Sequence, residues 1–161
     1  MKIIFLTIIV ALTITATSQV AKVSLQASGL TCSMCSNAIN KALKKLDFVD
    51  QVYADVKTYT FDIRFKTNSA VDFDMIKKKV EDAGFSVSGF IAEIYFNNIL
   101  ARKDQSIIVG DKTFLLISTE DQTLDGVKEV KIKNKGFVSS NEFKQNSFPS
   151  SPPGTYYASI N

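Results

Sequence analysis

Two repeats of apolar residues alternate along the first half of the chain, a two-residue repeat typical of strands and a three-to-four-residue repeat typical of amphipathic helices. Asp72 is a favoured N-cap residue, and Gly84 stands where a helix C′ glycine is expected. The repeats predict a strand from Val20 to Ala27, a helix from Ser33 to Leu46, strands at 49–55 and 59–65, a helix between Asp72 and Gly84, and a strand that begins at Phe85.

The order of these elements is βαββαβ, which predicts a ferredoxin-like domain of the α+β class over residues 19–88. In this fold two helices cover one face of a single sheet, so the apolar side of each element should form one core. The residues expected in that core are Val23, Leu25, Ile39, Leu43, Phe61, Ile63, Ile76 and Val80.

The pattern changes at Gly89, after which short strands are separated by turn sequences such as Gly110-Asp111 and Asp125-Gly126. One short helix is expected around 140–145. We therefore expect residues 89–161 to form a second domain of unknown role, a small antiparallel β-rich module that is either a barrel, such as an OB-like barrel, or a sandwich. Its strands are predicted at 90–96, 105–109, 113–118, 127–133 and 156–160.

Residues 1–18 have the pattern of a secretory signal peptide. Lys2 precedes an apolar run from Ile3 to Ile14, and Ala16-Thr17-Ser18 supplies small residues for cleavage. The run is too short to cross a bilayer, which requires roughly 20 apolar residues. We therefore expect an exported protein, periplasmic or secreted, that has no membrane span after cleavage.

The composition excludes many kinds of functional site. The chain of 161 residues has 19 basic and 16 acidic side chains, a net charge of +3 that is too balanced for nucleic-acid binding. It contains no histidine, which removes Ser-His-Asp and Cys-His catalysis and zinc sites that need histidine. We expect a protein that is not an enzyme.

The two cysteines, Cys32 and Cys35, are separated by two residues at the predicted start of a helix. The amide groups and the dipole of a helix N-terminus lower thiol pKa values and so favour thiolates. Two soft thiolates suit Cu(I) or another soft d¹⁰ ion, whereas structural zinc requires four ligands. The pattern predicts a soft-metal site at these two residues.

The segment Gly29-Leu30-Thr31-Cys32-Ser33-Met34-Cys35 resembles the heavy-metal-associated domain of copper chaperones, copper-pumping ATPases and the periplasmic mercury-binding protein. The family pattern is Gly-Met-Thr-Cys-x-x-Cys, with Leu30 in place of methionine. Gly84-Phe85 matches a family position at which an apolar residue shields the metal loop. The resemblance covers Val20 to about Ser88 and implies metal binding by Cys32 and Cys35.

Other interpretations of the cysteine pair remain open. Two cysteines at this spacing in an exported protein can form a short disulfide, or act as a thiol–disulfide oxidoreductase, although the sequence Trp-Cys-Gly-Pro-Cys of thioredoxin is absent. The second domain could instead make the protein an adaptor. Met34 is expected to be exposed rather than a ligand, and Lys77-Lys78-Lys79 to lie on a solvated helix face.

Taken together, the sequence predicts an exported protein that chelates a soft metal ion and transfers or buffers it. Cu(I) is the expected ion, with Ag(I) or Hg(II) as alternatives. The expected partner is a metal-transporting or metal-accepting protein.

Overall fold

The computed structural model of the chain describes residues 20–118, 120–146 and 148–160. The predicted signal peptide lies outside the described residues. The elements are, in chain order, β1 Val20–Ser28, α1 Ser33–Leu43, β2 Val49–Asp55, β3 Thr60–Phe65, α2 Phe73–Asp82, β4 Ser86–Ala101, β5 Ser106–Val109, β6 Lys112–Ser118, β7 Gln122–Ile132, α3 Ser140–Asn146 and β8 Thr155–Ile160. No helix within these residues is long and apolar enough to cross a bilayer.

The first six elements have the predicted βαββαβ order and the ferredoxin-like arrangement. Their strands pair in the order β2-β3-β1-β4, and each pairing is antiparallel. Both helices bury their apolar residues in the same core as the inner face of the sheet. The eight residues predicted to form this core are all fully buried, and neither cysteine is among them.

The second half of the chain continues the same sheet. β4 is 16 residues long. It pairs with β1 over residues 86–94 and with β7 over residues 91–101, so residues 91–94 have a strand on both sides. The predicted boundary between residues 88 and 89 lies inside this strand. Gly89, where the sequence pattern changes, pairs with Gln26 of β1 next to a register shift in the ladder.

The C-terminal strands do not confirm an OB-like barrel. They complete one eight-stranded sheet in the order β2-β3-β1-β4-β7-β8-β6-β5. The expectation of a purely antiparallel module is wrong, because β6 and β8 pair in parallel. Alternation of apolar and polar residues predicts where each strand lies. It does not predict that β6 pairs with β8, because these strands are about 40 residues apart in sequence.

An aromatic cluster joins the two halves of the chain. The ring of Phe73, at the start of α2, lies 4.9 Å from that of Phe90, 6.4 Å from that of Phe114 and 5.2 Å from that of Tyr156, measured between centroids. The Tyr156 hydroxyl donates a hydrogen bond of 3.0 Å to Asp74. Phe73 is fully buried, so α2 is held by residues from both halves.

Replacing Phe73 by alanine should lower the free energy of unfolding by about 3–5 kcal/mol, because it removes a buried ring from the junction of the two halves. Denaturant unfolding monitored by circular dichroism measures this loss. Met75→Ala is the matched control on the same helix, since Met75 is 46% exposed. Equal losses in the two variants would contradict the proposed role of the cluster.

Candidate metal centre

The two cysteines are positioned by the connection between β1 and α1. Gly29 has a positive φ of 87°, a conformation that glycine adopts readily, and it turns the chain after β1. Cys32 is the N-cap residue of α1 with extended backbone, and Cys35 lies in the first helical turn, where its amide donates to the Cys32 carbonyl at 3.1 Å. The structure therefore brings both predicted ligands to one end of one helix.

The N-terminus of α1 is electrostatically favourable for anionic sulfur. The N-cap makes no side-chain hydrogen bond to the helix, and the first turn contains no acidic residue. The first amide groups of the helix thus lack a capping acceptor and form the positive end of its dipole. Thiolates or a metal–thiolate group can take the place of the missing acceptor.

The sulfur atoms of Cys32 and Cys35 lie 3.1 Å apart, and either thiol can be the hydrogen-bond donor. Both cysteines are free thiols, since a disulfide bond would bring the two sulfurs to about 2.05 Å. Cys32 is exposed and Cys35 is partly exposed while packing against the core. One ion can therefore reach both sulfurs from the solvent.

The pKa of the Cys35 thiol is lowered from its ordinary value. The hydrogen bond with the Cys32 side chain is the main cause, and hydrogen bonding from the Thr31 backbone acts in the same direction. Burial opposes the shift. The lowered pKa favours the thiolate form of Cys35, which is the form in which cysteine side chains bind metal ions.

No further ligand set accompanies the pair. Within the described part of the chain, no group of three or more His, Cys, Asp or Glu side chains is placed to hold a metal ion. Met34 is 80% exposed, which confirms the prediction that its side chain is exposed. A centre with two thiolates suits a soft ion of low coordination number.

Residues 24–86 match the family model of the heavy-metal-associated domain. This segment is a heavy-metal-associated domain. The match ends at residue 86, and the C-terminal half of the chain matches no family.

Copper-transporting proteins are among the relatives of this domain. The chain is 36% identical over 64 residues to a probable copper-exporting P-type ATPase of Archaeoglobus fulgidus, and 35% identical over 69 residues to the probable copper-transporting ATPase HMA5 of Arabidopsis thaliana. These alignments cover 40% and 43% of this chain but 8% and 7% of the two ATPases.

A solved relative is the yeast copper transporter domain CCC2A, studied in apo and Cu(I)-loaded states. It is 32% identical to this chain, and the alignment covers 40% of this chain and 88% of the yeast domain, with a TM-score of 0.36.

The heavy-metal-associated domain places Phe85 beside the metal loop through the end of α2. Gly84, with a φ of 89°, donates to the Glu81 carbonyl, and Phe85 donates to the Val80 carbonyl, which together form a Schellman motif. A Cβ atom on Gly29 would lie 4.0 Å from the Phe85 ring. Phe85 is partly buried against the core, so it borders the loop and contributes to packing.

Two properties of residues next to the thiols were not predicted from the sequence: the hydrogen bonding of Thr31 with Cys35 and the burial of Ser36. Thr31 lowers the pKa of Cys35 through hydrogen bonds. Ser36, directly after Cys35, is 1% exposed and its hydroxyl has no hydrogen-bond partner. The burial of Ser36 follows from helical spacing, because it lies three residues before the buried Ile39.

Cys35 should react with iodoacetamide at a lower pH than an ordinary thiol, whose pKa is about 8.5. Replacing Cys32 by alanine removes the main cause of the lowered pKa and should move the midpoint of the Cys35 alkylation profile to higher pH. The measurement is peptide mass spectrometry of the reduced protein, alkylated anaerobically across a pH series. Ser33→Ala is the control and should leave the midpoint unchanged. An unchanged midpoint in Cys32→Ala would contradict the assigned cause.

Proposed function

We propose that this protein binds one Cu(I) ion between Cys32 and Cys35 and buffers the ion or transfers it to another protein. The observation that carries the proposal is the pair of solvent-accessible sulfurs, 3.1 Å apart at an uncapped helix N-terminus. The match of the surrounding segment to the heavy-metal-associated domain supports it.

The donor set favours Cu(I) over zinc. Cu(I) is a soft ion that accepts two thiolates, whereas zinc sites require four ligands and here would lack two of them. Histidine, a common zinc ligand, is absent from the sequence. Ag(I) and Hg(II) share the preference for thiolates. Mercury(II) binding is therefore the alternative function, and competition titration distinguishes it from Cu(I) binding.

Transfer proceeds by ligand exchange without a change in the oxidation state of copper. A thiolate of the accepting protein forms a bond to Cu(I), and a three-thiolate intermediate results. A bond from the ion to Cys32 or Cys35 then breaks, and the process repeats with the second pair. The exposure of Cys32 is what allows the first new bond to form. The partner in this proposal is a metal-transporting or metal-accepting protein that carries its own thiol pair.

We also propose that the protein acts outside the cytoplasm and is not an enzyme. The apolar segment at residues 3–14 supports export. In an oxidising compartment only the reduced cysteine pair can bind the ion, so metal binding and disulfide formation compete for the same sulfurs. A thiol–disulfide oxidoreductase would instead cycle the pair through the disulfide during turnover.

Anaerobic titration of the reduced protein should show one tightly bound Cu(I) per chain in competition with a chromophoric Cu(I) chelator, and much weaker Zn(II) binding. The double variant Cys32→Ser, Cys35→Ser removes both soft ligands and should not compete with the chelator. Met34→Leu is the matched control and should bind like the wild type.

Sub-micromolar Cu(I) binding by the double variant would contradict the assignment of Cys32 and Cys35 as the metal ligands. Equal affinity for Zn(II) and Cu(I) would overturn the assigned preference, and tighter binding of Hg(II) in the presence of competing thiol would favour mercury as the cargo. Reduction of insulin disulfides at a catalytic rate would favour the oxidoreductase.

A further inference from the structure

Lys112 is the one charged residue that is buried among the residues described by the structure, with 4% of its surface exposed. It begins β6, directly after the turn Gly110-Asp111. Burying an ammonium group costs free energy unless hydrogen bonds and opposite charge compensate for its lost hydration. The metal centre does not use this residue, so its burial requires another explanation.

The compensation of Lys112 is incomplete. Its Nζ atom lies 2.6 Å from a carboxylate oxygen of Asp111 and 5.3 Å from the centroid of the Phe73 ring. An ammonium group has three N–H donors, and among residues 20–118, 120–146 and 148–160 Lys112 donates one hydrogen bond, to Asp111. The two carboxylates at the start of α2 pair with other groups, since Asp72, the N-cap, accepts from the Met75 amide and Asp74 accepts from the Tyr156 hydroxyl.

The partner of Lys112 is weakly held. The Asp111 side chain is 73% exposed, whereas that of Lys112 is 5% exposed. An exposed carboxylate regains full hydration when it moves away, so displacing it costs little. A ligand carboxylate can therefore take its place on the buried ammonium.

Both residues line a cleft of about 540 Å³ between the two halves of the chain. One side of the cleft is the start of β1 and the loop between β3 and α2, and the other side is the turn between β5 and β6. Its volume is within the usual range for small-molecule sites, about 300–1,000 Å³. The apolar part of the lining includes Val20, Phe65, Val71 and Val109.

We propose that this cleft binds a small carboxylate with a short apolar body. The carboxylate accepts hydrogen bonds from Lys112 and displaces Asp111 into solvent, while the apolar body packs against the valine and phenylalanine side chains of the cleft. The site is separate from the cysteine pair, and its occupant is independent of which metal binds there.

Substitutions of the two charged residues should change the affinity in opposite directions. Lys112→Met removes the ammonium and should weaken binding of the probe butanoate at least about tenfold, the effect of losing a hydrogen bond to a charged group. Asp111→Asn keeps the shape of the competing side chain but removes its charge, so it should strengthen binding. The controls are Lys103→Met and Asp104→Asn, which lie outside the lining of the cleft.

The measurement is titration of the full mature chain with butanoate, followed by chemical-shift changes of residues 66–71 and 109–112. Inorganic phosphate is titrated in parallel, and tighter binding of phosphate than of butanoate would overturn the assigned ligand class. If these chemical shifts do not change at tens of millimolar butanoate, or if butanoate binds Asp111→Asn more weakly than the wild type, the proposed carboxylate site is wrong. Cu(I) titration of the same variants should match the wild type, so failure of this proposal and failure of the proposed metal function are distinguishable.

Discussion

The pairing of β1 with β4 is the interaction on which the rest of the structure depends. Ser28, the last residue of β1, pairs with Ser86, the first residue of β4, and the metal loop and the Gly84-Phe85 turn leave the sheet from these two ends. Residues 91–101 of β4 pair with β7, and this pairing connects the C-terminal strands to the rest of the sheet. One ladder thus fixes the loop that carries the cysteines and joins it to the remainder of the molecule.

The metal centre combines a rigid base with exposed sulfurs. Neither cysteine is one of the buried core residues, and Cys35 packs only against the edge of the core, so binding or releasing an ion need not disturb the packing that stabilises the fold. The hydrogen bond with Cys32 favours thiolate at Cys35, and this effect outweighs the opposing effect of partial burial. This combination suits a site that must hold a soft ion tightly and still present it to another protein's thiolates.

The sequence predicted the N-terminal half in detail because its determinants are local. Asp72 accepts from the Met75 amide as an N-cap, Gly84 has the positive φ of a C′ residue, and Cys32 and Cys35 meet because four consecutive residues span one helical turn. Tyr156 shows why the second half was harder. Its strand was predictable, but its packing on Phe73 depends on a contact between residues 83 positions apart, which no local pattern encodes. The burial of Lys112 has a different, local cause, since alternation along β6 places its side chain on the inner face although its charge favours the surface.

X-ray absorption spectroscopy of the reduced protein loaded with one equivalent of Cu(I) tests the central claim most directly, because it reports the elements bound to the metal. The account predicts copper bound by two sulfur atoms, with no nitrogen or oxygen ligand, and no second copper atom nearby. A spectrum dominated by nitrogen or oxygen ligands, or one that keeps its sulfur ligands in the double cysteine-to-serine variant, would contradict it.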